Sequence, residues 1–199
     1  MIEAIEGFRL PRYAQIPNVG LYLEQVVRYV NTHLAPLGEP ELTSSMVSNY
    51  VKQGLISSPI KKSYTAEPLS RLLFIAVVKP VVPMEGIRMM FSIQGDNYTL
   101  PAAYDYFCDE FENMLGAAFG IAPAREGLGK TQSDAKDLLR NTIVATVKGY
   151  SSHEKETLTG VTAMRSGAVA NVDKAEKELL EAQAAAQTAP NGPDAAQSA

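Results

Sequence analysis

Prolines and glycines cut residues 18–119 into short blocks whose apolar positions repeat at helical spacing, and almost no stretch alternates as a strand does. Leu23, Val26, Val27, Val30 and Leu34 form the first such stripe, with Asn18 ahead of it as an N-cap and Pro36 and Gly38 ending it. A second block starts at Thr43 or Ser44 and runs to about Gln53. Met46, Val47, Tyr50 and Val51 point inward, and Gly54 suits the left-handed residue that closes a helix. A third begins near Ala66 and carries Leu69, Leu72, Leu73, Ile75 and Ala76, until Pro80 and Pro83 stop it. Pro83 then opens a short fourth helix with Ile87, Met90 and Phe91, and Gly95-Asp96-Asn97 reads as a turn. A fifth, from about Pro101 to Phe119, buries Tyr104, Phe107, Cys108, Phe111 and Leu115. The pattern predicts an all-α protein with at most a small β wing at 55–65, and an irregular segment over 1–17 broken by Pro11 and Pro17.

Beyond this block the chain changes character. Residues 1–119 read as one domain with accessory helices, and 120–130, GIAPAREGLGK, as a Gly/Pro-rich linker. Residues 131–185 carry two helical stretches that would serve as a dimerisation element or fold back on the first domain. Gly160, Gly167 and Arg165 interrupt a continuous coiled-coil seam there. The tail, 186–199, has no large apolar residue and is expected to be disordered.

Within the acidic chain (net charge −4), Leu42 to Tyr64 contains no acid. Its helix places Ser44, Ser45, Ser48 and Asn49 where few apolar residues compete, and Lys52, Lys61 and Lys62 follow at the helix end and in a Pro59-containing loop. Small donors on a helix suit base edges in a major groove, and lysines suit phosphates. A solvated polar face with ordinary surface lysines is the plain alternative.

The order Met46-Val47-Ser48-Asn49-Tyr50-Val51-Lys52-Gln53-Gly54-Leu55-Ile56, then Pro59 and Tyr64, resembles the MerR-type winged helix-turn-helix. Ser48 and Thr65 stand where that family commonly has arginines, and Lys61 and Lys62 are the nearby cations that remain. A closer resemblance over about residues 8–115 is to a bacterial family catalogued as domain of unknown function 1836. It rests on LPRYAQIPNVGLYLEQVVRYVN, LTSSMVSNYVKQGLI, Pro59, Lys61-Lys62 and Tyr64. The resemblance implies a winged helix-turn-helix transcription regulator that binds double-stranded DNA as a homodimer. Ser44, Ser45, Ser48 and Asn49 would face bases, and Lys52, Lys61, Lys62 and Tyr64 phosphates. A small-molecule effector held between the first domain and residues 96–119 fits the same picture. The alternative is a protein-interaction module that keeps the fold without DNA binding.

Other chemistries find little support. One cysteine, Cys108, and two histidines, His33 and His153, leave no multi-Cys zinc site and little for nucleophilic catalysis, so neither metal nor cofactor is expected and no enzyme. Ala124 to Thr131, AREGLGKT, fits a relaxed phosphate-loop pattern but follows no buried strand. Asp105, Asp109 and Glu112 share one helix face, expected to point to water. Met84, Met89 and Met90 read as core filling. The N-terminus lacks a signal-peptide core, and the longest apolar run, Leu72 to Val78, is too short to span a bilayer, so a cytoplasmic protein is expected.

Overall fold

The apolar blocks do fold as helices. The computed structural model describes residues 2–38, 41–125 and 133–152. In chain order they form α1 (Ile2–Glu6), α2 (Leu23–Leu34), α3 (Ser44–Lys52), α4 (Ala66–Val78), α5 (Met84–Asn97), α6 (Leu100–Ala118) and α7 (134–152). The described residues contain two isolated antiparallel pairs, Leu21 with Tyr64 and Ile60 with Ser63, rather than a strand. The fold of the described residues is therefore all-α.

α4 is apolar on nearly every side, and such a helix belongs at the centre of a bundle. Leu69, Leu72, Leu73, Ile75, Val77 and Val78 are fully buried. α2 packs on it through Val26 and Val30, and α6 through Phe107 and Phe111. Phe74 of α4 meets Phe107 edge-on at 4.9 Å between ring centres.

Three local expectations change. Residues 1–17 are not merely irregular: α1 and the segment after it bury Ile5, Phe8, Leu10 and Ile16. Asn18 does not cap α2, where Gln25 Oε1 instead accepts the Tyr22 N–H at 2.9 Å. The Asn18 side-chain oxygen faces the first N–H of α4, Ala66, at 3.4 Å. Gly95-Asp96-Asn97 is helical, the last three residues of α5, because Asn97 Nδ2 donates back to Ile93 O (2.6 Å) and Gln94 Nε2 to Tyr98 O (2.7 Å).

For residues 131–185 the sequence leaves two arrangements open. Their described part, α7, packs against the first domain by burying Ile143, Thr146, Val147 and Tyr150. The Tyr150 hydroxyl donates to Val77 O at 3.4 Å, and Arg140 Nε lies 3.4 Å from Glu110 Oε1. All the described residues accordingly fall within one compact unit. The expectations for 153–185 and for the tail 186–199 lie outside the described residues, as do residues 126–130 of the linker.

Candidate functional site

α3 is placed by two devices at its start. Thr43 Oγ1 accepts the Met46 N–H at 3.2 Å, as an N-cap should. Just before it, Asn31 of α2 holds Leu42 by both backbone groups: Nδ2 donates to Leu42 O (2.9 Å), and Leu42 N–H donates to Oδ1 (2.8 Å). That clamp fixes where α3 leaves α2, and no local periodicity announces it. At the far end Gly54 takes φ 69°, the left-handed closing conformation, and Leu55 N–H returns to Tyr50 O at 2.9 Å.

The inward face of α3 buries Val47 and Tyr50. Ser45, Asn49 and Lys52, spaced i, i+4 and i+7, line one exposed face. No side-chain hydrogen bond or ion pair to another described residue engages any of the three. Ser44 and Ser48 are only half-exposed, and the Ser48 hydroxyl donates to Ser44 O at 2.9 Å, so its donor is spent inside the helix. The exposed polar stripe is thus narrower than the four serine and asparagine side chains suggest.

Lys61 and Lys62 form the tip of a two-residue turn. Ile60 and Ser63 exchange both backbone bonds, at 3.0 and 2.9 Å, around them. Both lysines lie at positive φ, 48° and 67°, as a type I′ turn requires. Asn-Gly is the usual choice there; a lysine costs about 1 kcal/mol in that region. Both side chains are exposed. Below the tip, Leu21 and Tyr64 exchange N–H···O bonds of 2.8 Å in each direction. Gly20 permits this approach: it sits at φ +82°, and a Cβ there would lie 3.0 Å from Ser63 Cβ.

Tyr64 does not join the lysines. Its side chain is 5% exposed and belongs to the core, and burial raises its hydroxyl pKa. It anchors the turn from within the core.

The acids of α6 also differ from expectation. They do not simply face water. Asp105 Oδ1 accepts the Tyr13 N–H (2.7 Å), and Glu112 Oε1 accepts the Leu10 N–H (2.9 Å). Arg12 reaches Glu112 with both terminal nitrogens (2.7 and 3.0 Å) and Asp109 with Nη2 (2.7 Å). The hydrogen bond to Glu112 foremost holds the Arg12 guanidinium charged. Next to this staple, burial pushes the Cys108 thiol up to about 12. The carboxylates hold the N-terminal arm, and among the described residues no group of three His, Cys, Asp or Glu is placed to hold a metal ion.

No helix of the described residues is long and apolar enough to cross a membrane. No curated protein and no solved structure matches the chain significantly. Residues 130–192 match the family model described as LemA family, a likeness the helical stretches there did not announce. The region that holds α2 to α5, and with them every residue of the candidate site, is a match to a second family: residues 11–107 fit the model described as Domain of unknown function (DUF1836).

Proposed function

We propose that residues 18–78 act as a winged helix-turn-helix of MerR-like kind, and that the protein is a sequence-specific DNA-binding regulator working as a homodimer. The observation that carries this reading is the pairing of α3 with the turn that follows it. Ser45, Asn49 and Lys52 form an exposed polar stripe whose side chains bond to no other described residue, and Lys61 and Lys62 are held at a strained tip within a segment that has no acid. Strained backbone persists where the surroundings over-determine it, often at functional positions. The stripe supplies donors of the kind that read base edges, Asn49 above all, while the tip supplies phosphate contacts in the place of a wing. Lys52, at the end of α3, joins the phosphate set.

Fluorescence anisotropy of the full chain with the DNA upstream of its own coding sequence tests the reading. Binding at low salt is expected, with an affinity that falls as salt rises. Lys61→Ala with Lys62→Ala should flatten the logarithmic salt slope by about 2, about 1 per lysine. Asn49→Ala should instead change which sequences are preferred. Absence of any complex at low salt overturns the proposal.

A second reading has its own observation. Val19, Tyr22 and Ile60 are 89%, 60% and 73% exposed, and they flank the paired segments at the base of the turn. Exposed apolar side chains gathered at one corner suit a protein partner. Under that reading, binding is insensitive to salt and is lost on Tyr22→Ser with Ile60→Ser, changes that leave DNA binding intact under the first.

A further inference from the structure

A cavity of about 280 Å³ lies among α4, α5, α6 and α7. Its walls are apolar, with Phe74, Phe91, Leu100, Phe107 and Leu139 among them. Among the described residues two cations line it, Arg71 and Lys136, and no carboxylate does, the reverse of the chain's net charge of −4. The Arg71 guanidinium lies 4.7 Å from the centre of the Phe91 ring, and the Lys136 ammonium 5.2 Å from that of Tyr106. Arg71 is only partly committed. Its Nε is 2.8 Å from Glu67 Oε1 and its Nη1 donates to Leu55 O at 3.3 Å, while Nη2 bonds to no described residue.

We infer that this cavity is a binding site for a small monoanion with an apolar body, an aryl or alkyl carboxylate, whose charged end meets Arg71 and Lys136. Pockets that take small molecules are mostly apolar with a few placed polar groups, and this one has that composition. A dry cavity of roughly 150 Å³ takes a benzene ring, so this one takes about a dozen non-hydrogen atoms. A guanidinium prefers a carboxylate over a neutral amide because charge-assisted bonds are stronger.

The site also touches the segment that leaves α3. Arg71 holds Leu55 O, and its ion-pair partner Glu67 accepts from the Ser57 hydroxyl at 2.5 Å. Arg88, on α5 with Phe91, donates to Gln53 O at 2.6 Å. A carboxylate on Arg71 competes with Glu67 and Leu55 for the same guanidinium, so occupancy changes how residues 53–57 are held. The ligand site stands whether or not α3 contacts DNA.

Calorimetric titration and amide NMR of the full chain, without DNA, test this with cinnamate and its neutral isostere cinnamamide. Cinnamate is expected to bind with a micromolar Kd and the amide about tenfold more weakly, as the loss of a charge-assisted bond implies. The Leu55, Ile56 and Ser57 amide signals should shift along the same saturation curve. Arg71→Met should bring the two probes to equal affinity. Because Arg71 also braces the fold, Lys136→Gln is the second variant, and it should narrow the preference. Ala103→Leu, which fills the cavity, should weaken both probes. No binding of either probe, equal affinity of the two for the unaltered protein, or unchanged binding by Ala103→Leu overturns the inference.

Discussion

The acidic face of α6 and the polar face of α3 look alike as sequence, each a set of hydrophilic residues at helical spacing opposite a buried stripe. In the folded chain they have opposite fates. Asp105, Asp109 and Glu112 are taken up by Arg12 and by the backbone of the arm from Leu10 to Tyr13. Ser45, Asn49 and Lys52 are taken up by nothing among the described residues. Helical spacing tells which residues share a face, and only tertiary structure tells whether that face is already occupied. The occupied face contributes stability; the vacant one makes no side-chain bond among the described residues.

The comparison breaks most readily at Arg12. Arg12→Ala removes three charge-assisted bonds and leaves Glu112, whose side chain is 11% exposed, without its main counter-charge. A loss of about 2–3 kcal/mol is expected from urea unfolding, at the lower end for a buried pair because Arg12 itself is partly exposed. A loss below about 0.5 kcal/mol, the range of an ordinary surface pair, would place the α6 acids with α3 as solvated.

At the lysine turn that follows the vacant face, the sign should reverse. Lys62→Gly relieves the positive-φ strain, and the gain exceeds the added freedom of glycine in the unfolded chain. Stability should rise by about 0.5–1 kcal/mol while the salt slope of DNA binding falls by about 1. A variant that is both less stable and unchanged on DNA would remove the contrast.

The smallest effect sharpens a third position, Glu110. Its side chain is buried with no hydrogen bond to either oxygen, and burial raises its pKa while Arg140 works against the rise. The native state therefore holds this proton more tightly than the unfolded chain does. The resulting stability is present below the ordinary carboxylate value, about 4.3, and is lost as pH rises through the higher native value. The stability difference between wild type and Glu110→Gln should fall as pH is raised from about 4. A difference that is flat with pH would show the carboxyl to be better solvated than its position suggests.

Much of the helical layout could be read from residues close in sequence. The stop at Pro80, the start after Pro83, the cap at Thr43 and the left-handed Gly54 each depend on neighbours within a turn, and the structure shows them where those neighbours put them. What could not be read depends on partners far along the chain. Asn18 has the look of a cap for the next helix, yet its oxygen faces Ala66. Asn31 is an unremarked polar residue of α2 until Leu42 arrives beside it. Tyr64, a candidate contact by resemblance, has its ring in the core, a role its place in the loop sequence does not announce. Within the candidate site, residue type suggested the chemistry, but Ser48 gave its donor to Ser44 O, a competition inside the helix that composition does not reveal.

The paired backbone of Leu21 and Tyr64 has a consequence for how this region can vary. It brings together the two points where the chain enters α2 and leaves the lysine turn. Everything between them, α3 and the turn included, is a closed loop whose ends meet at one seam. Within such a loop, outward-facing residues are replaceable as a set, because the seam, the Asn31 clamp and Gly54 hold its path while the side chains of Ser45, Asn49, Lys52, Lys61 and Lys62 bond to no other described residue. If these residues recognise DNA as proposed, specificity can diverge as an exchange of surface letters on an unchanged frame.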